Sequence, residues 1–230
     1  MVSIKKRRRP HQIPEAGSVA VLGLGRFGQS LGLELMESHV EVLGVDIDGS
    51  TVQDLDGMLT HVVRADTTNE EAMRQINVHQ FERVVVAIGT DIQASILTAS
   101  LLLRFGVENI WAKAVSDAHG TILEQLGVKH VVYPERDMGR RVAHLVRGVM
   151  QDFLEIGDHF ALVKSPPNSA VVGVPLSEAN VRSTYGITIA AFKRPGKDWS
   201  YTSSDTVIEK DDIILIAGNV RKAEAFSQLE

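Results

Sequence analysis

The stretch Val19-Ala20-Val21-Leu22-Gly23-Leu24-Gly25-Arg26-Phe27-Gly28 decides the fold. Four apolar residues suit a buried parallel strand, and the glycines that follow have G-x-G-x-x-G spacing. Phe27, Leu31, Leu35 and Met36 then recur at helical intervals. Three glycines alone are a weak signal. Their context strengthens it, because the turn follows a strand, opens a helix, and has Asp46 roughly 20 residues on, closing the apolar run Val40 to Val45. Gly23 permits the tight turn, Gly25 lets the backbone approach a phosphate, and Gly28 lets the helix pack closely on the strand. Free N–H groups and the positive end of the helix dipole then face the phosphate. Asp46 is placed to accept hydrogen bonds from the ribose hydroxyls and to repel a 2′-phosphate, which disfavours NADP. The alternative is a glycine turn that serves packing alone.

Outward from this turn, apolar runs alternate with amphipathic ones. His61-Val62-Val63, Val84 to Ile88, Ile110-Trp111-Ala112 and Val131-Val132 read as strands. Asn69 to Ile76, Ile92 to Phe105 and Ala118 to Leu126 read as helices. That alternation predicts βαβ units closing into an α/β fold, a Rossmann-type doubly wound parallel sheet over residues 17–138. Arg136 to Leu154 reads as one long helix with Val142, Leu145, Val146, Val149 and Phe153 as its apolar stripe. It is either the last helix of the first domain or a crossover that packs on a neighbouring subunit, linking the domains over 139–156. Beyond it, 157–230 reads as a small α+β unit. Its strands are Phe160 to Lys164, Ile187 to Phe192 and Ile213 to Ala217, with turns at 166–169 and 194–197 and a closing helix Val220 to Leu229.

Composition bounds the function. The chain is 44% hydrophobic and 23% charged, as ordinary globular proteins are, and no apolar run reaches the length of a spanning helix. Without cysteine there is no disulfide, thiolate metal site or cysteine nucleophile, which fits a cytoplasmic protein. A net charge of -5 argues against nucleic acid as a partner. The exception is the run Lys5 to Arg9 ahead of Pro10. It reads as a disordered, solvated tail over 1–16, or as a contact with anionic lipid or an acidic partner, at roughly 1 kcal/mol per charge.

Loops at the carboxyl ends of the strands supply the other candidates. Arg26, in the first helical turn, could reach the terminal phosphate of ATP or ADP, or be a plain surface arginine. Ala65-Asp66-Thr67 follows the third strand, where an adenine would lie, although Asp66 also suits a helix cap. Ile88-Gly89 allows close approach of a ligand after the fourth strand, and Lys113 ends the fifth. Glu135 could hold a divalent cation beside phosphates, or Lys113 and Glu135 could be a surface pair. No P-loop or H-E-x-x-H motif is present, and the histidines form no catalytic constellation; His61, His79 and His130 read as strand-end or surface residues. Binding without turnover is the simpler expectation, with an NAD-dependent oxidoreductase as the alternative.

Val21 to Gly28, Val45-Asp46-Ile47-Asp48, Val86-Ala87-Ile88-Gly89 and Tyr133-Pro134-Glu135-Arg136-Asp137-Met138-Gly139 together resemble the RCK (KTN) family of regulatory subunits of bacterial potassium transporters, nearest the KtrA type and then the TrkA type. Val181-Arg182 and Tyr185-Gly186-Ile187-Thr188 resemble its small C-terminal RCK_C domain. The resemblance implies dimers assembled into an octameric ring, docked beneath a membrane potassium-transporting subunit of KtrB or TrkH type at the inner face of the membrane. It implies that ATP and ADP compete for the Rossmann site and change the ring's shape, with NAD or NADH in some members. The nucleotide set is then Gly23, Gly25, Arg26, Phe27, Gly28, Asp46, Asp48, Ala65, Asp66, Thr67, Ile88, Gly89 and Lys113. Arg26 would contact the terminal phosphate in the adjoining subunit, and Glu135 would help bind a metal cation. Arg182 would contact cyclic di-AMP, although Thr188 stands where relatives that bind it carry asparagine.

Overall fold

The computed structural model describes residues 17–157 and 159–229, so the basic run Lys5 to Arg9 lies outside it. The chain divides into two compact units, with the boundary after Pro134.

The first unit holds six parallel strands: β1 (Val19–Leu22), β2 (Val42–Asp46), β3 (His61–Arg64), β4 (Arg83–Val86), β5 (Ile110–Lys113) and β6 (His130–Val132). Their order, β3-β2-β1-β4-β5-β6, is that of the dinucleotide-binding sheet, reversing direction at β1 and β4. The crossovers carry α1 (Arg26–Glu37), α2 (Gly49–Asp54), α3 (Glu70–Gln75), α4 (Ile92–Arg104) and α5 (Asp117–Leu126). β1 reads as an unbroken apolar run because both its faces are covered. Val19 and Val21 enter one core with Leu24, Leu55 and Leu59, while Ala20 and Leu22 enter the other with Val86, Leu102 and Ile110.

β2 begins at Val42 rather than Val40, since the end of α1 claims the earlier residues. His39 takes a left-handed φ of 61°, and Val40 N donates back to the Leu35 carbonyl at 3.0 Å. At the far edge of the sheet, half-exposed Trp111 stacks on its register partner His130, with ring centroids 4.2 Å apart.

The second unit corrects the long helix expected over Arg136 to Leu154. α6 (Pro134–Leu145) ends there, and β7 (Asp152–Gly157) follows. Phe153 therefore belongs to a strand: it is buried opposite Val163 of β8 (Phe160–Ser165), while Leu154 faces outward. Alternating burial along β7 matches a half-covered strand, whereas Val146 and Val149 in the intervening segment are exposed. α7 (Leu176–Ala179), α8 (Val181–Tyr185), β9 (Ile187–Lys193), β10 (Trp199–Tyr201), β11 (Ile213–Asn219) and α9 (Val220–Ser227) complete the unit. Its antiparallel sheet runs β10-β9-β11-β8-β7. Val163, Ile187, Ile189, Ile214, Ile216 and Phe226 form the core of the unit. His144 of α6 stacks on Phe153 and pairs with Glu224 of α9, while Arg141 Nη2 meets Asp152 at 2.6 Å. Among the described residues no helix is long and apolar enough to cross a membrane.

Candidate nucleotide site

The glycine turn has the steric properties that its spacing predicts. Gly23 sits at φ +94°, and a Cβ there would stand 2.9 Å from the Ile88 side chain. A Cβ on Gly28 would drive into the Gly23 carbonyl oxygen. Gly25 differs from both, being exposed with open space where its Cβ would be, so a ligand can reach the backbone there. It is the N-cap of α1 and supplies no side chain to the free N–H groups, and the first turn of α1 holds no acid. α2 to α5, by contrast, are capped by Asp48, Asn69, Asp91 and Ser116. The opening of α1 is thus free to bind an anion.

Asp46 ties the end of β2 to this turn. Its carboxylate accepts Leu24 N at 2.6 Å and Asp48 N at 2.9 Å, which leaves lone pairs on both oxygens for further donors. Asp48 is committed to its helix: it accepts Ser50 N and both the Ser50 and Thr51 hydroxyls. The Ser50 hydroxyl and amide, with help from Thr51, hold its carboxyl below the ordinary pKa.

On the far side of the turn, Ile88, Gly89, Lys113 and Phe27 come together. A Cβ on Gly89 would stand 3.1 Å from Lys113 Nζ, and that nitrogen lies 5.7 Å from the Phe27 ring centroid. Lys113 is largely buried, with its amino group beside the glycine turn. Arg26 opens α1 exposed to solvent, with no ion pair to a described residue.

The loop after β3 is built from its own bonds. Ala65 N donates to the Asp46 carbonyl at 2.9 Å, and Asp66 accepts the Thr68 amide and hydroxyl. Thr67 is buried, its hydroxyl 2.8 Å from that of Thr98. Asp66 therefore caps the loop, and Thr67 serves the core.

Glu135 lies in the first turn of α6, at the head of the second unit. Among the described residues no group of three or more His, Asp or Glu gathers to hold a metal ion.

Two features go beyond the residues that the sequence singles out, the first of them around Arg182 and Thr188. One is a concavity of about 590 Å³ in the second unit, lined by Asn180, Arg182, Thr188, Thr202, Ser203 and Ser204 among others. Arg182 Nε donates to Thr188 Oγ1 at 3.3 Å. The hydroxyl-rich stretch Thr202-Ser203-Ser204 was the available signal. The other is Arg64, whose Nε donates to the Ile47 carbonyl at 3.0 Å beside Asp46, and nothing in its neighbours along the chain marks it.

Comparison with known proteins agrees with this architecture. The TrkA-N domain family matches residues 19–134, and the TrkA-C domain family matches residues 160–229. Ktr system potassium uptake protein C of Bacillus subtilis is 40% identical over 91% of this chain and 95% of its own length. Ktr system potassium uptake protein A of the same organism is 34% identical over 90% and 94%. Among solved structures, the GsuK RCK domain superposes with a TM-score of 0.63 at 15% identity, covering 96% of this chain and 50% of that one, which shows the shared fold. Both domain families match, and the identity to the Ktr proteins runs nearly end to end; the chain belongs to the TrkA-N/TrkA-C family of potassium uptake proteins.

Proposed function

We propose that the chain is a cytosolic regulatory subunit that gates a membrane potassium-transporting partner in response to adenine nucleotides, without catalysing a reaction. The observation that carries this reading is the 40% identity to a Ktr system protein, continuous through both units. The uncapped, sterically open start of α1 beside Asp46 and Lys113 supports ATP or ADP as the ligand. The proposed division gives nucleotide binding to 17–138 and the readout to 157–230, joined through 139–156.

A ligand shifts a conformational equilibrium only by its differential affinity for the two states. ATP and ADP differ by the terminal phosphate, so the residue that reads it is the switch. We assign that role to Arg26, acting across the interface of a homodimer that assembles into an octameric ring. Arg26→Ala should weaken ATP about tenfold or more while changing ADP little, since a charge-assisted contact to phosphate is lost. Equal losses for both nucleotides in a binding titration would remove Arg26 from the role. Steady turnover of NADH with a carbonyl substrate would displace the regulatory reading altogether.

Glu135 is proposed to add a carboxylate to a phosphate-bound divalent cation. Arg182, at the concavity of the second unit, is proposed as the contact for cyclic di-AMP, with Thr188 in place of an amide. Titration of Arg182→Ala against the unaltered protein tests that contact.

A further inference from the structure

Arg64 closes β3 beside Asp46, which closes β2, and the two are register partners. Partners across a parallel pair project to the same face from strands about 4.8 Å apart. That face is the one carrying α1, because Val62, two residues before Arg64, packs in the core beneath α1, and Asp46 binds the glycine turn. The two side chains do not pair with each other. Asp46 is held by the backbone N–H groups of Leu24 and Asp48. Arg64 donates Nε to the Ile47 carbonyl and lays its guanidinium over Gly49, where a Cβ would stand 3.4 Å from Nη1. No carboxylate of a described residue forms an ion pair with it. The side chain is exposed, fixed through one nitrogen, and its terminal amino groups remain open to a ligand.

In sheets of this topology, either an acid at the end of the second strand recognises the adenosine ribose or an arginine nearby accommodates a phosphate on its 2′-oxygen. This chain places both side by side. The guanidinium fork matches phosphate oxygens, and its charge opposes that of the Asp46 carboxylate on the neighbouring strand. The other acid of this corner, Asp48, is already engaged by Ser50 and Thr51. We propose that Arg64 makes the ribose corner accept a 2′-phosphate, so that the chain binds 2′-phosphorylated adenine nucleotides alongside unphosphorylated ones. The proposal rests on the glycine turn being an adenine-nucleotide site, and it departs from the exclusion that Asp46 alone would impose.

The test is equilibrium titration of the full chain with ADP, ADP-ribose and 2′-phospho-ADP-ribose, the last two differing only by the phosphate. Unaltered protein should bind them within about tenfold of each other, and Arg64→Ala should weaken the phosphorylated ligand alone by about tenfold or more. Arg64→Lys, which keeps the charge and loses the fork, should fall between the two. If the unaltered protein rejects the 2′-phosphate as strongly as Arg64→Ala does, the proposal is wrong. It is equally wrong if Arg64→Ala weakens both ligands alike, because the arginine then only supports the Ile47 loop. Failure of ADP itself to bind would overturn the glycine-turn reading and the proposal together, whereas ADP binding without a 2′-phosphate effect would overturn the proposal alone.

Discussion

Gly25 and Gly28 separate binding from folding within one turn. A methyl group on Gly28 meets a backbone oxygen that cannot move aside, so Gly28→Ala should cost about 1–3 kcal/mol or more in urea unfolding. A methyl on Gly25 meets nothing within the protein. Gly25→Ala should therefore unfold within about 0.5 kcal/mol of the unaltered chain while losing nucleotide, because it fills the space a phosphate needs. Calorimetric titration beside urea unfolding checks the pair; comparable stability losses for both would refute the distinction. His119 supplies a pH effect at the same scale. It is buried at the start of α5, its Nδ1 accepting Val115 N at 3.4 Å, and burial pushes its pKa below the ordinary 6.5. Below that pH the unfolded chain takes up a proton that the folded chain refuses. Stability should therefore fall as pH drops below about 6.5, until the folded chain also takes up the proton, by at most about 1.4 kcal/mol per pH unit. His119→Leu should flatten that slope in denaturant melts.

Among the elements, the capped helices give the plainest expectation. Asn69 accepts Ala72 N at 3.0 Å and Asp91 accepts Ala94 N at 2.9 Å. Asn69→Ala and Asp91→Ala should each cost about 1 kcal/mol, without altering nucleotide affinity, as thermal melts and titrations would show. The parallel sheet was legible in the sequence because its central strands β1, β2 and β4 are apolar runs buried on both faces and bounded by polar or glycine residues. β7 was not legible. Val142, Leu145, Val149 and Phe153 continue a helical stripe, and only pairing with β8, a contact distant along the chain, turns the last of them into strand. β10 was missed for a related reason: three exposed residues become a strand only by pairing with β9. Within the site, the glycine turn was legible because steric demands on backbone are local. The hydrogen bonds of Asp48, Asp66 and Thr67 to Ser50, Thr68 and Thr98 were not legible, since folded geometry brings those partners into place. Arg64 needed the register of two strands.

For the whole molecule, the division into two units with separate cores sets what a ligand can stabilise directly. A nucleotide at the glycine turn adds about 2.7 kcal/mol to its own unit at a hundredfold excess over Kd. Hydrogen exchange should slow in the turn, at the end of β2 and after β4 when ADP is added. Protection that instead began in β8 and β9 would place the primary site in the second unit.

The stacked Trp111 has a use of its own. The chain holds two tryptophans, and the boundary after Pro134 leaves Trp111 in one unit and Trp199 in the other. Trp111 lies two residues from Lys113 on β5, its indole against the His130 ring, while Trp199 stands at the edge of the second sheet. Replacing either one with phenylalanine leaves a single tryptophan per molecule, which can be excited at wavelengths that the three tyrosines do not absorb. Each unit can then be followed optically as nucleotide is added, with no attached dye to disturb the protein.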